Sequence, residues 1–492
     1  MKILRTAKNV SLTVLVSALL LVPHCAVRAQ ETNQMEQLKR QLEQMQANFE
    51  KVQREQREQI EALTKQLNEV IQQQTAASDQ KKLESQLAVE LASNAPPATA
   101  SAAEITPAPW SAAQPLTVAR SASAYLNMSF DALFAAGGST APDVEALEFG
   151  SHDPKQNGFT VQNLEMTLDG KVDPYFRGQA NLVFQVNPNG ETTFEAEEAY
   201  LETISLPLNL QVKAGQYFTA FGRINPQHPH AWDFADQPLV IGRFLGPDGL
   251  RNPGAQVSWL APTPFYSELF VSVQNSGGET AFSFGDTDGA ELISQHPGVP
   301  VKVNNLGDLL YAPRYVVSFN PGDEHTVVLG ASGAFGPNAS GADANTRIYG
   351  ADLFYKWKSS RHDKGFPFVT WQTEYLYSHY ESAAFAGDLV TPPASATTFN
   401  NWGVYSQVSY GFRPRWVVSF RGDYVTGQPG DFWADPVLNN RYRFSPAITF
   451  YPSEFSKLRL QYNYDHIQNT GIENSVWLQL EFLLGAHSAH KF

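Results

Sequence analysis

The sequence predicts an all-β transmembrane barrel of about 16 antiparallel strands, preceded by an N-terminal α-helical coiled coil. Three observations carry this expectation. Apart from Phe49 and Trp110, every aromatic residue lies beyond Ser121, so a polar front and an aromatic-rich back are two different objects. From Tyr125 onward apolar residues recur with period two over strand-length segments. The connections between those segments alternate between shorter and longer, which gives an even strand count with turns on one rim and loops on the other.

Composition excludes several classes. With 49 acids against 35 bases among 492 residues, a basic nucleic-acid binder is not expected. One cysteine rules out a disulfide scaffold. A helical membrane protein needs apolar runs of about 18 residues or more, and only the N-terminus approaches that.

The first segment, 1–29, reads as a secretory signal peptide. Lys2, Arg5 and Lys8 form a basic start, Val10–Val22 an apolar stretch, and Val27-Arg28-Ala29 a cleavage site. His24 before Cys25 departs from a lipoprotein motif, and cleavage removes that cysteine. Residues 30–90 predict a periplasmic coiled coil. Met35, Leu38, Leu42, Met45, Phe49 and Val52 alternate by three and four, Gln56 follows, and the seam resumes at Ile60, Leu63, Leu67 and Val70. The step through Gln56 is a stutter that locally unwinds a supercoil. A lone helix would expose that seam, so self-association is expected. Residues 91–120, rich in Ala, Pro and Ser, read as a tether. Residues 121–492 are the predicted barrel.

Within the barrel, Leu126, Met128, Phe130, Ala132 and Phe134 alternate with Asn127, Ser129 and Asp131. Leu164, Met166 and Leu168 alternate with Glu165, Thr167 and Asp169, and Leu458, Leu460 and Tyr462 with Arg459, Gln461 and Asn463. Such a strand suits a sandwich with its apolar face inward or a membrane barrel with that face in lipid. The sorting of connections favours the barrel. Shorter ones fall at Asp169–Pro174, Leu206–Pro207, Ala261–Pro264, Asn320–Glu324, Lys358–Gly365, Gly411–Arg415 and Tyr451–Glu454. Longer ones, such as Gly137–Asn157, Gly222–Pro253 and Asn275–Leu306, lie between them. Aromatics near strand ends, among them Tyr175, Phe176, Phe265, Tyr266, Trp371, Trp402 and Trp416, predict an interfacial girdle. The terminal Phe492 is of the kind that barrel-assembly machinery reads.

The stretch 208–260 contains Lys213-Ala214-Gly215-Gln216-Tyr217-Phe218-Thr219-Ala220-Phe221-Gly222-Arg223, then Phe234-Ala235-Asp236-Gln237-Pro238-Leu239 and Gly254-Ala255-Gln256-Val257. With Ala199-Tyr200-Leu201-Glu202 before it, this resembles the phosphate-selective porin O/P family. A coiled coil ahead of such a barrel looks like the trimeric porins that take up dicarboxylates. The resemblance implies a trimeric 16-stranded pore with a long loop folded inward. Gln216 and Ala220 replace the family's usual Lys and Pro, and Asp236-Gln237 stands where Glu-Arg is common. The barrel segment is also net acidic, opposite in sign to the rows of Arg and Lys on which phosphate selectivity rests.

The predicted constriction lies in Gly222–Pro253. Lys213, Arg223, Arg243 and Arg251 are expected to face Asp233, Asp236 and Asp248, forming an electrostatic filter. His228-Pro229-His230 with Asp233 and Asp236 is a candidate metal cluster, since imidazole plus carboxylate suits zinc or copper. No Gly-x-Ser-x-Gly, P-loop or His-Glu-x-x-His occurs, so neither an enzyme nor a cofactor is expected. The sequence therefore points to an outer-membrane channel for passive diffusion of small hydrophilic solutes, a homotrimer set in outer-membrane lipid. Two alternatives stand beside it: a specific uptake channel for anions, dicarboxylates or a divalent metal, and a structural anchor reaching toward the cell wall.

Overall fold

The computed structural model describes residues 116–121, 124–171, 173–427 and 439–485. The predicted signal peptide, the coiled coil, most of the tether and Phe492 lie outside the described residues.

Among the described residues, seventeen strands form one sheet. They are β1 (Leu116–Arg120), β2 (Tyr125–Ser139), β3 (Gly158–Lys171), β4 (Phe176–Val186), β5 (Thr192–Thr203) and β6 (Leu210–Phe218). There follow β7 (Arg251–Leu260), β8 (Tyr266–Asn275), β9 (Leu309–Phe319), β10 (His325–Pro337), β11 (Asn345–Asp363) and β12 (Phe366–Ser382). The last five are β13 (Thr397–Arg413), β14 (Trp416–Val425), β15 (Arg441–Ser453), β16 (Ser456–Ile467) and β17 (Gly471–Leu484). Strands β2 to β17 pair antiparallel in chain order, and β17 closes on β2 from Ser475 opposite Ser139 to Leu484 opposite Phe130. The result is a closed antiparallel barrel of 16 strands.

Closure leaves a seam. β17 stops at Phe130, and β1 folds back along Tyr125–Met128 to continue the edge. Leu116–Arg120 was expected to be tether; its Leu-Thr-Val-Ala-Arg alternation is short enough to escape notice in Ala/Pro-rich surroundings.

Side-chain alternation is inverted relative to a water-soluble protein. Along β16, Lys457, Arg459, Gln461, Asn463 and Asp465 are buried, whereas Leu458, Leu460 and Tyr462 are 36, 49 and 38% exposed. β17 repeats this with buried Trp477, Gln479 and Glu481 between exposed Val476, Leu478, Leu480 and Phe482. The polar row lines the lumen and the apolar row forms the outer band, which excludes the sandwich. Exposed Tyr175, Phe176, Phe265 and Tyr266 sit at the short-turn rim, and Trp371 and Trp402 stand on the outer wall. Among the described residues no helix is long and apolar enough to cross a membrane.

The short turns are locally specified. Asp173 accepts hydrogen bonds from the backbone N–H groups of Tyr175 and Phe176 at 2.8 and 2.9 Å, turning β3 into β4. Lys364-Gly365, both with positive φ, form the two-residue turn between β11 and β12. The opposite rim carries the large loops 140–157, 219–250 and 276–308, with helices α1 (Val144–Leu147), α2 (Leu239–Leu245) and α3 (Thr287–Ser294). Length does not sort the two rims everywhere. The loop-side connection 468–470 is tighter than the turn 204–209, because β16 and β17 run further than their apolar residues suggest.

Candidate functional site

The loop 219–250 runs inside the barrel. It leaves β6 at Phe221-Gly222, where Gly222 has φ of 58° and a Cβ would stand 1.9 Å from Glu374 Oε2, so only glycine fits. Glu374 of β12 then accepts the backbone N–H groups of Arg223 and Ile224, each at 2.9 Å. From there the chain crosses to His228, which meets Glu165 of β3 and Glu197 and Glu198 of β5. β12 and β3 lie on opposite sides of a 16-stranded ring, so the loop spans the lumen from wall to wall. It continues past β16, where Lys457 Nζ donates to His230 O and Arg459 donates to Trp232 O, both at 2.7 Å. Inside the mouth, α2 is buried along its whole length. It packs in an apolar cluster with Phe221, Ile224, Trp232, Phe284, Ile348, Leu376 and Tyr405. Burial of these side chains is the driving force that seats the loop.

Asp236 is the charged hub of this arrangement. Its Oδ1 accepts from Arg421 at 2.9 Å and Gln461 at 2.7 Å; its Oδ2 accepts from Asn463 at 2.8 Å and from Arg443. Arg443 also pairs with Glu148 at 2.7 Å and Asp465 at 2.9 Å, and Arg421 with Asp423 at 2.7 Å. Burial alone would raise the Asp236 carboxyl, but Arg421 and Arg443 outweigh it and hold it below the usual carboxylate range. In a basic arc on β14–β16, Arg421, Arg441, Arg443 and Lys457 are thus paired with acids in place while Arg459 bonds Gln479 and Trp232 O, and all five side chains are buried.

A second cluster lies on β2, β3 and β5. His228 Nδ1 lies 3.1 Å from Glu165 Oε2 and 3.0 Å from Glu197 Oε2, and its Nε2 lies 3.1 Å from Glu198 Oε2. His230 Nδ1 lies 3.2 Å from Asp131 Oδ2 and 3.7 Å from the same Glu165 oxygen. Burial works against a charge on His230, yet Asp131 and Glu165 lift its ring to about 9. Glu197 is available through a β-bulge. Asn181 pairs with Glu198 and Leu182 with Ala196, so Glu197 is the extra residue and both glutamates are buried inside.

The predicted site residues divide as follows. His228 and His230 come together, with ring centroids 5.9 Å apart. The carboxylates expected beside them are elsewhere: Asp233 accepts from Ser409 at 3.0 Å, and Asp236 is held by the wall arginines. The metal quartet read from the sequence therefore does not assemble, because its aspartates lie on the stretch of loop that has already turned toward β13–β16. The expected confrontation of loop bases with loop acids is also rearranged. Lys213 lies over the Tyr200 ring at 4.2 Å, and Arg223 over Phe354 at 4.1 Å. Arg243 approaches Asn439 O, Arg251 pairs with Glu195, and Asp248 takes the Ser151 hydroxyl. Opposed charges exist, but the barrel wall supplies most of them. Sequence reasoning missed Asp131, Glu165, Glu197 and Glu198 as site residues. The usable signal was Glu197-Glu198 itself, two adjacent acids where period two allows one.

No family model matches the sequence. A protein of Aquifex aeolicus, described only as uncharacterized, is 33% identical over 364 residues, 69% of this chain and 71% of that protein. The outer membrane channel DcaP of Acinetobacter baumannii is 15% identical over 74% of this chain and 99% of its own, with a TM-score of 0.47. The anion-selective porin from Comamonas acidovorans is 8% identical over 73% of this chain and 100% of its own, with a TM-score of 0.44.

Proposed function

The chain belongs to one family with the uncharacterized Aquifex aeolicus protein, and from that premise we propose that it is an outer-membrane channel for passive passage of small hydrophilic solutes. The observation that supports this reading is a loop threaded through a polar-lined, apolar-jacketed barrel and bonded to opposite walls. A strand barrel needs no such loop to anchor in lipid; a loop at mid-lumen sets what passes. Burial of Arg421, Arg441, Arg443 and Arg459 favours a selective, narrow route over a wide general one, because a broad aqueous lumen would wet them. The likeness of 208–260 to the phosphate-selective porin O/P family supports an anionic solute, and the net acidity of the barrel segment opposes it. The homotrimer, the periplasmic coiled coil and recognition of Phe492 by the assembly machinery belong to the same reading.

The test is purified protein in planar bilayers, with reversal potentials under a salt gradient and liposome swelling with small sugars and carboxylates. Discrete conductance steps with a defined ion preference are expected. A folded barrel giving neither current nor swelling refutes the channel and favours the anchor.

A further inference from the structure

The cluster around His228 has more order than a buried salt bridge requires. Glu165 is fixed by its neighbours: its Oε1 accepts from Thr167 at 3.2 Å and from Asn181, and its Oε2, turned toward both histidines, accepts from Asn163 at 3.3 Å. Glu197 is fixed likewise, with Oε1 2.9 Å from His152 Nε2 and Oε2 aimed at His228. Glu198 takes the far nitrogen of His228, Nε2, at 3.1 Å. A carboxylate on one imidazole nitrogen fixes the tautomer and leaves the other nitrogen's lone pair for a cation. Here that other nitrogen is Nδ1, which faces Glu165 and Glu197 together.

One imidazole N–H cannot serve two carboxylates along its axis. Among the described residues Glu197 Oε2, in a fully buried residue, accordingly meets His228 Nδ1 at 3.0 Å only as an ion pair without hydrogen-bond alignment, and Asp131 Oδ2 meets His230 Nδ1 at 3.2 Å in the same way. Buried carboxylate oxygens without an aligned donor are costly unless something else satisfies them. Donor atoms of Glu165, Glu197 and His228 all lie within 4.8 Å of one another, and so do those of Asp131, Glu165 and His230. Ligands about 2.1 Å from a tetrahedral ion sit about 3.4 Å apart. The nitrogen–oxygen separations here, 3.0, 3.1, 3.2 and 3.7 Å, bracket that edge.

We propose that His228 Nδ1, Glu165 Oε2 and Glu197 Oε2 bind a divalent first-row transition-metal ion of the zinc type, with Asp131 and His230 completing the group across the shared Glu165. Mixed imidazole and carboxylate donors suit zinc, cobalt, nickel or manganese rather than calcium or magnesium. Charge balances: one divalent ion enters as His228 and His230 each release a proton to solvent. The ion ties the loop to β3 and β5, opposite its attachment to β12. The proposal does not rest on the channel reading, since metal content and conductance are measured separately.

The site is sealed, so the ion must be offered while the loop is seating. Full-length protein is folded into detergent with zinc, desalted, and assayed for zinc per chain. At least one ion per chain is expected in the wild type and in Asp233→Asn. His228→Ala and Glu165→Gln should lose it, and Glu198→Gln, which frees the tautomer, should bind about 10–100-fold more weakly. Heat-modified electrophoretic mobility reports folding of each variant. Folded wild type without stoichiometric zinc overturns the proposal, as does wild-type zinc content in folded His228→Ala and Glu165→Gln. If those variants do not fold, cobalt-loaded wild type decides. A ligand-field spectrum distinct from aqueous cobalt supports the site, and an unchanged aqueous spectrum overturns it.

Discussion

Asp236→Asn perturbs the loop at its most connected point while keeping the side chain's shape. The aspartate accepts four hydrogen bonds, two of them from arginines. The amide turns one acceptor into a donor, which on either side meets an arginine and a neighbouring amide. Breaking a buried ion pair by removing one partner costs about 3–5 kcal/mol. The lower end applies, because Arg421 keeps Asp423 and Arg443 keeps Glu148 and Asp465. About 3 kcal/mol is roughly a 150-fold shift in the balance between seated and lifted loop. Single-channel recording reads this directly as longer or more frequent high-conductance intervals. Asp233→Asn, which loses one bond from Ser409, is the matched control. A folded Asp236→Asn barrel whose traces match wild type would show that the hub does not hold the loop.

Three further outcomes follow from the same geometry. Arg443→Met leaves Glu148, Asp236 and Asp465 facing an uncharged side chain; unfolding in urea should show a larger loss than Asp236→Asn, by about 1–2 kcal/mol. Leu460→Arg, on the outer band, should cost about 2–4 kcal/mol in folding titrations into lipid, and only tenths in a detergent that wets the arginine. The Asp236 latch should persist in mild acid. Its folded pKa lies below the unfolded value of about 3.9, so its contribution is complete above that value and fades as pH falls through the depressed one. Loop dwell times at pH 5 and pH 7 should therefore agree for this contact, and a latch lost at pH 5 would contradict the assigned partners.

Much of the fold was written in period two. Each predicted short turn from Asp169–Pro174 to Tyr451–Glu454 overlaps a connection between successive strands, because alternation and Pro/Gly/Asp punctuation are local properties. The inward loop was legible only through resemblance, since nothing local distinguishes a loop lying on a rim from one lying in a lumen. Its partners were harder still. Asp131 and Glu165 stood in the polar register of their strands like any other lumen residue, and only barrel closure brings β2, β3 and β5 to His228, 63 positions from Glu165. The bulge hid Glu197 for a different reason: strict alternation places it on the lipid side, and one extra residue in β5 returns it.

A loop bonded to β12, β3, β5, β14 and β16 is also a mechanical member. A hollow 16-stranded cylinder resists stretching along its hydrogen bonds but flattens easily, since only inter-strand twist opposes an oval section. A chord pinned at several points around the circumference acts as a spoke and fixes the cross-section. Removing residues of the loop should therefore not yield the same barrel with a wider bore. It should yield a softer one, whose bore varies with the lateral pressure of the lipid around it, so that conductance noise in the shortened protein becomes a reading of membrane tension.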